Sequence, residues 1–309
     1  MDIIHLPVEL WTLIVDLLDI KPQVRVIQLC KTIKDKIFIT NLLNIGLVLK
    51  NKLDGDIIKK YPHIKKLDAS FTSKIKKINH MTNLRILYAW GDCGIDDDSL
   101  IGLNLVELNV NYNPKIKKIN HMTNLRILHA VGTCGIGDDD LVGLNLIKLD
   151  AYDNPKIKKI NHMTNLRILN ASGKCQIDDN SLISTFTEGY GVLNLIRLDA
   201  FNNPKIKKIN YMTNLRILHA GRNSGIDDDS LVGLNLVELD AWDNPKIKKI
   251  NHMTNLRILN ASFNSGIDDD SLIGLNLIRL EAFNNLKIKK ITHMLPRQLM
   301  TNLRIIEEL

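Results

Sequence analysis

The string IKKINHMTNLRIL stands at 75–87, 116–128, 157–169 and 247–259, and again at 206–218 with Tyr211 in place of the histidine. A chain that copies one segment this closely gives every copy the same needs, so it folds as an array in which each copy meets the same neighbours. Each period divides into two shorter units. One kind opens at Ile64, Leu105, Leu146, Leu195, Leu236 and Leu277; the other opens at Leu84, Leu125, Leu166, Leu215 and Leu256, with a fragment at Leu303. That makes about eleven units, alternating about 20 and 21 residues, with the last one partial. One period is lengthened by 184–191, a Ser/Thr/Gly-rich stretch read as a surface bulge.

Both kinds of unit follow the pattern LxxLx[A/V/L]xxN. Leu146, Leu149, Ala151 and Asn154 show it in the first kind, and Leu256, Leu259, Ala261 and Asn264 in the second. Side chains alternate along a strand, so Leu149 and Ala151 point inward while Lys148, Asp150 and Tyr152 point outward. One unit cannot cover its own apolar face, and neighbours must stack. This is the leucine-rich-repeat signature. The expected fold is an α/β solenoid, a leucine-rich-repeat horseshoe with one parallel concave sheet on the order of 50 Å long at ~4.8 Å per strand. Aromatic residues make up only 5% of the chain, so its core is aliphatic.

The return segments differ. In the first kind, Asn-Pro ends the strand and IKKI supplies two buried isoleucines between exposed lysines, which resembles the SDS22-like class of repeats. In the second, GIDDDSLVGL at 225–234 reads as a short helix capped by aspartate, with Leu231 and Leu234 turned inward. Alignment of the two kinds puts Lys117 and Lys118 at the positions of Gly137 and Asp138 in the next unit, so lysine pairs and aspartate runs alternate along one edge. Exposed pairs of this sort contribute about 0–1 kcal/mol each, but they cancel most of the long-range field of a net charge of +7. Nucleic acid is therefore not an expected partner.

Residues 1–45 do not repeat and read as a small helical module; 46–63 look like one degenerate capping repeat, and 64–309 are the array. Leu10, Ile14, Leu17 and Leu18 line one helical face, and Pro22 suits the first turn of a second helix. The run LPVEL at 6–10, the isoleucine four residues on, the Leu17-Leu18 pair and the later Leu29-Cys30-Lys31 step resemble an F-box, over about residues 4–40. An aromatic residue often found soon after that step is Ile33 here. The resemblance implies docking to a Skp-type adaptor of a cullin–RING ubiquitin ligase through Leu6, Pro7, Glu9, Leu10 and Ile14. It also implies that the repeats are the substrate-binding arm of an F-box/leucine-rich-repeat protein. The Ile/Lys/Asn bias and near-identical copies look like the F-box proteins of giant DNA viruses. A plain helical cap over the first repeat is the alternative, in which the repeats serve as an interaction scaffold with no ubiquitin role.

The outward concave positions vary most between units. Tyr88, Trp90, Asp150, Tyr152, Asp199, Phe201, Asp240, Trp242, Glu281 and Phe283 are the expected partner-binding residues, joined on the intervening strands by His129, Asn170, His219 and Asn260. Exposed rings suit binding anchors, and the acidic column suits a target with basic side chains. Histidines 80, 121, 162, 252 and 293 share a column, but alternate units place them about 10 Å apart, too far for a common metal ion. The same spacing separates Cys93, Cys134 and Cys175 beyond disulfide reach, and Cys30 reads as buried. No phosphate loop, GxSxG, HExxH or CxxC occurs, so neither enzyme activity nor a cofactor nor a metal is expected. Residues 10–20 carry Asp16 and Asp19 and fall short of a membrane span, while Met1-Asp2 lacks the basic start of a secretory signal. The expected setting is intracellular, in cytoplasm or in a host cytoplasm or nucleus, with no membrane partner.

Overall fold

A computed structural model describes residues 8–29, 38–43, 45, 50–186, 189–289 and 304–306. The chain forms two compact units, 1–144 and 145–309. Both are built of leucine-rich-repeat coils, and the fold class is the α/β solenoid of that repeat.

The first unit opens with helices α1 (Val8–Leu17) and α2 (Ile20–Leu29), and Pro22 stands in the first turn of α2. Val15 is buried between them, packed against Trp11, Val26 and Ile27. Gln23, also fully buried, ties this pair to the repeats: its Nε2 donates to the Leu18 carbonyl at 2.7 Å, and its Oε1 accepts the Thr40 amide at 3.1 Å. The parallel ladder then runs β1 (Asn41–Leu42), β2 (Lys66–Asp68), β3 (Ile86–Tyr88), β4 (Glu107–Asn109) and β5 (Ile127–His129). Leu42 registers with Leu67, so the first coil begins inside the segment read as the helical module. Ile39 and Leu42 reproduce the LxxL spacing that the sequence reading sought further along.

The second unit holds β6 (Lys148–Asp150), β7 (Ile168–Asn170), β10 (Arg197–Asp199), β11 (Ile217–His219), β12 (Glu238–Asp240), β13 (Ile258–Asn260), β14 (Arg279–Glu281) and β15 (Arg304–Ile306), paired in that order and all parallel. Between β7 and β10, the insertion forms an antiparallel hairpin of β8 (Ile183–Phe186) and β9 (Gly189–Val192).

Strands β2 to β7 and β10 to β14 each carry one leucine inward, with an Ala or Val two residues on; Leu198, Ala200, Leu239 and Ala241 are all fully buried. The IKKI isoleucines close the other side, as Ile206 and Ile209 show. Full burial of such a side chain contributes about 1.5–3 kcal/mol, so every coil depends on the next for its stability. The pattern asparagine has a specific task. Asn244, buried, donates to the carbonyls of Ala220 at 2.6 Å and Ile226 at 3.2 Å and accepts the Lys246 amide at 3.0 Å. Asn113, Asn203 and Asn285 repeat the arrangement. Turn backbone buried between coils would otherwise lack partners.

Candidate functional site

Two surfaces carry the residues singled out by the sequence, and the first is α1. Its Trp11/Val15 face packs on α2, while Leu10, Leu13, Ile14 and Leu17 stand on the opposite side at 44%, 60%, 37% and 85% exposure. These four are spaced i, i+3, i+4, i+7, a continuous apolar stripe along a ten-residue helix. Leu10 and Ile14 of the expected docking set are therefore exposed side by side, with Leu13 and Leu17 added to them. Leu6, Pro7, Cys30 and Ile33, and the side chain of Glu9, lie outside the described residues.

The outward sheet face of the repeats is the second surface. In the first unit, Tyr88 donates its hydroxyl to Glu107 at 3.0 Å. Burial, then the charge and hydrogen bond of Glu107, push the phenol up to about 12. Trp90, 40% exposed, packs on Phe71 with ring centroids 4.9 Å apart.

The second unit holds the denser array. Asp199 on β10 takes Arg197 Nε at 3.2 Å and His219 Nδ1 at 2.9 Å, and the other ring nitrogen of His219 reaches Glu238 on β12 at 3.2 Å. A neutral imidazole has one N–H, so carboxylates at both nitrogens favour the imidazolium. The hydrogen bond to Asp199 accordingly raises the His219 pKa above 6.5 against the opposing effect of burial, and the charges of Asp199 and Arg197 act in opposite directions on it. Asp199 is held low: burial pulls its pKa up, but the His219 hydrogen bond and the His219 and Arg197 charges outweigh it. Arg279 pairs with Glu281 on β14. Asp240 differs. Its carboxylate accepts the Trp242 amide at 2.9 Å and makes no ion pair among the described residues; burial first, then the charges of Glu281 and Glu238, push its pKa up against the Trp242 hydrogen bond and the His219 charge.

Two residues beyond Asp199, Asp240 and Glu281 stand the rings of Phe201, Trp242 and Phe283. Phe201 and Trp242 lie two strands apart, on the order of 10 Å, yet stack with centroids 5.6 Å apart. Gly221, two residues past β11 on the coil between them, makes this possible, since a Cβ there would meet Phe201 at 2.8 Å and the Trp242 carbonyl oxygen at 2.8 Å. Phe263 then meets Trp242 edge-on at 5.4 Å and Phe283 at 5.3 Å, completing a line of four rings. Arg222 lies over this line, 4.7 Å from Trp242 and 5.5 Å from Phe201. Asp150 accepts the Tyr152 amide at 3.2 Å, and Tyr152 is 37% exposed.

The structure thus gathers Phe201, Trp242 and Phe283 into one ring line and links Asp199 to Glu238 through His219. Tyr88 and Trp90 form a separate group in the first unit. Arg222 and Phe263 escaped the sequence reading because both have φ in the left-handed region, 53° and 61°, where strict alternation along the strand no longer assigns a face. Arg197 and Glu238 were readable as outward strand positions, one residue before the inward leucine.

The lysine edge works differently from expectation. Asp97 does lie beside Lys117 and Lys118, but its carboxylate accepts their backbone amides at 2.7 and 2.8 Å, and Asp179 and Asp228 serve the next coils likewise. The aspartates are coil-to-coil clamps that bond the backbone of the lysine pairs. The slots of Cys93, Cys134, Cys175, Ser224 and Ser265 are all buried, and the three cysteines are free thiols.

No protein-family model matches the chain, and no curated protein does. Among solved structures, a chain of the yeast complex of Rad7 and Elc1 is similar at 15% identity and TM-score 0.40, over 85% of this chain and 89% of that one. The functional domain of InlJ from Listeria monocytogenes, which includes a cysteine ladder, is similar at 16% identity and TM-score 0.41, over 75% of this chain and 55% of that one.

Proposed function

We propose that this chain is a non-catalytic receptor subunit of a cullin–RING type ubiquitin ligase, with α1 docking a Skp-type adaptor and the repeat sheet face holding a target protein. The observation that supports the reading is the exposed apolar stripe of α1, Leu10, Leu13, Ile14 and Leu17. A helix with one face already packed has no structural use for four exposed aliphatic side chains on the other. Each would contribute about 1 kcal/mol on covering, as a fraction of the ~1.5–3 for full burial, enough for a specific though modest contact. The F-box resemblance names the partner that such a stripe fits. The chain's contribution to ubiquitin transfer is proximity: it raises the effective concentration of target near the ligase, and other subunits perform the chemistry.

Co-purification of the full chain with a Skp-type adaptor tests this. Leu13→Glu with Leu17→Glu, both on the exposed side, should abolish recovery of the adaptor while leaving the fold intact. Undiminished recovery would refute the docking claim and leave the interaction scaffold, in which the sheet face binds its partner without the ligase.

A further inference from the structure

The sheet face of the second unit is unevenly compensated. Asp199 holds Arg197 and His219, Glu238 holds His219, and Glu281 holds Arg279. Asp240, between them on β12, makes no ion pair among the described residues: its carboxylate is bonded to one backbone amide, and the positive charge that acts on it is that of His219 on the adjacent strand. Two residues on, the half-buried Trp242 ring sits in the line of rings on which Arg222 rests. Arg222 shows that these rings seat a guanidinium, whose contacts among the described residues are to the Phe201 and Trp242 rings. A stack of this kind is favourable for arginine above all, because its plane is weakly hydrated and lies flat on a ring while its N–H groups stay free for a carboxylate.

We infer that the sheet face of the second unit docks an extended, arginine-bearing segment of a partner protein, with a guanidinium on Asp240 and its plane against Trp242. The inference rests on the reading that the repeats hold a protein target, and it names that target's chemistry. Complementary charge selects the occupant: an acidic segment would meet Asp199, Glu238, Asp240 and Glu281 together, whereas an arginine supplies the direct ion pair that Asp240 makes with no described residue, its neighbour His219 being already bonded to Asp199 and Glu238. Spacing adds a constraint. Asp240 and Glu281 lie two strands apart, about 10 Å, and a polyproline-II segment crossing the strands repeats its side chains every third residue, about 9 Å.

Fluorescence anisotropy with labelled GRPPRPPRG, and with the same peptide carrying lysine or glutamate at the arginine positions, tests the inference on the full chain. The arginine peptide should bind, the lysine peptide several-fold more weakly, and the glutamate peptide not at all. Asp240→Asn should weaken the arginine peptide about tenfold or more, and Trp242→Leu should remove the preference for arginine over lysine. Asp240→Asn removes a charge that burial disfavours, so this variant should melt no lower than the wild type, which separates lost binding from lost folding. Both variants should still recover the adaptor through α1. Equal binding of all three peptides, or wild-type affinity in Asp240→Asn, would overturn the inference while the adaptor result stands or falls separately.

Discussion

Replacing His219 with glutamine removes a group that bridges β10 and β12 by charge. The imidazolium makes two bonds, to Asp199 at 2.9 Å and to Glu238 at 3.2 Å, with side chains 24%, 16% and 30% exposed. A hydrogen bond to a charged group contributes about 1.5–3 kcal/mol, and water still reaches these partners, so about 2 kcal/mol for the bridge is reasonable. The sign with pH follows from a histidine pKa raised on folding. The stabilisation is fully present below the unfolded value of 6.5 and is lost as pH rises through the higher folded value. Asp199, whose pKa is lowered, acts at the other end: its contribution holds above its ordinary value and fades in acid. The surrounding charges are Arg197 on β10 and Glu238 and Asp240 on β12. Urea denaturation of wild type and His219→Gln, from about pH 5.5 to about 9, should show the variant about 2 kcal/mol less stable at the acid end. The gap should narrow above neutrality. An NMR titration of the His219 ring with a midpoint at or below 6.5, or a gap independent of pH, would refute the bridging imidazolium.

Asn244→Ala should cost about 3–5 kcal/mol, because the Ala220 and Ile226 carbonyls and the Lys246 amide each lose a partner in a dry interior; a loss under about 1 kcal/mol by the same denaturation would show that the asparagine ladder is dispensable. Gly221→Ala should separate Phe201 from Trp242 and cost about 1–2 kcal/mol, visible as a red-shifted Trp242 emission in a Trp11→Phe, Trp90→Phe background. An unshifted spectrum would mean that the ring stack does not depend on the missing side chain.

The repeat was legible because a period-2 strand, a buried asparagine and an IKKI return make the same demand on every coil. Leu198, Ala200, Asn203, Ile206 and Ile209 could be placed from spacing alone, and all are buried where the pattern puts them. Side-chain direction after the strand was less legible, since left-handed residues such as Arg222 and Phe263 bring onto the ring line groups that alternation assigns nowhere. Periodicity grouped Leu10, Ile14, Leu17 and Leu18 on one helical face, whereas α1 ends at Leu17 and Val15 and Trp11 set its packed face by fitting Val26 and Ile27. Adjacency of lysine and aspartate was also readable, but not that a carboxylate takes backbone amides in preference to the flexible ammonium groups beside it.

Amide hydrogen exchange of the full chain, with and without a purified Skp-type adaptor, tests the central claim most directly. Docking through α1 predicts that residues 8–17 slow on adding the adaptor while the strands of the second unit exchange as before. Unchanged exchange throughout 8–17, or protection confined to the repeats, would contradict it.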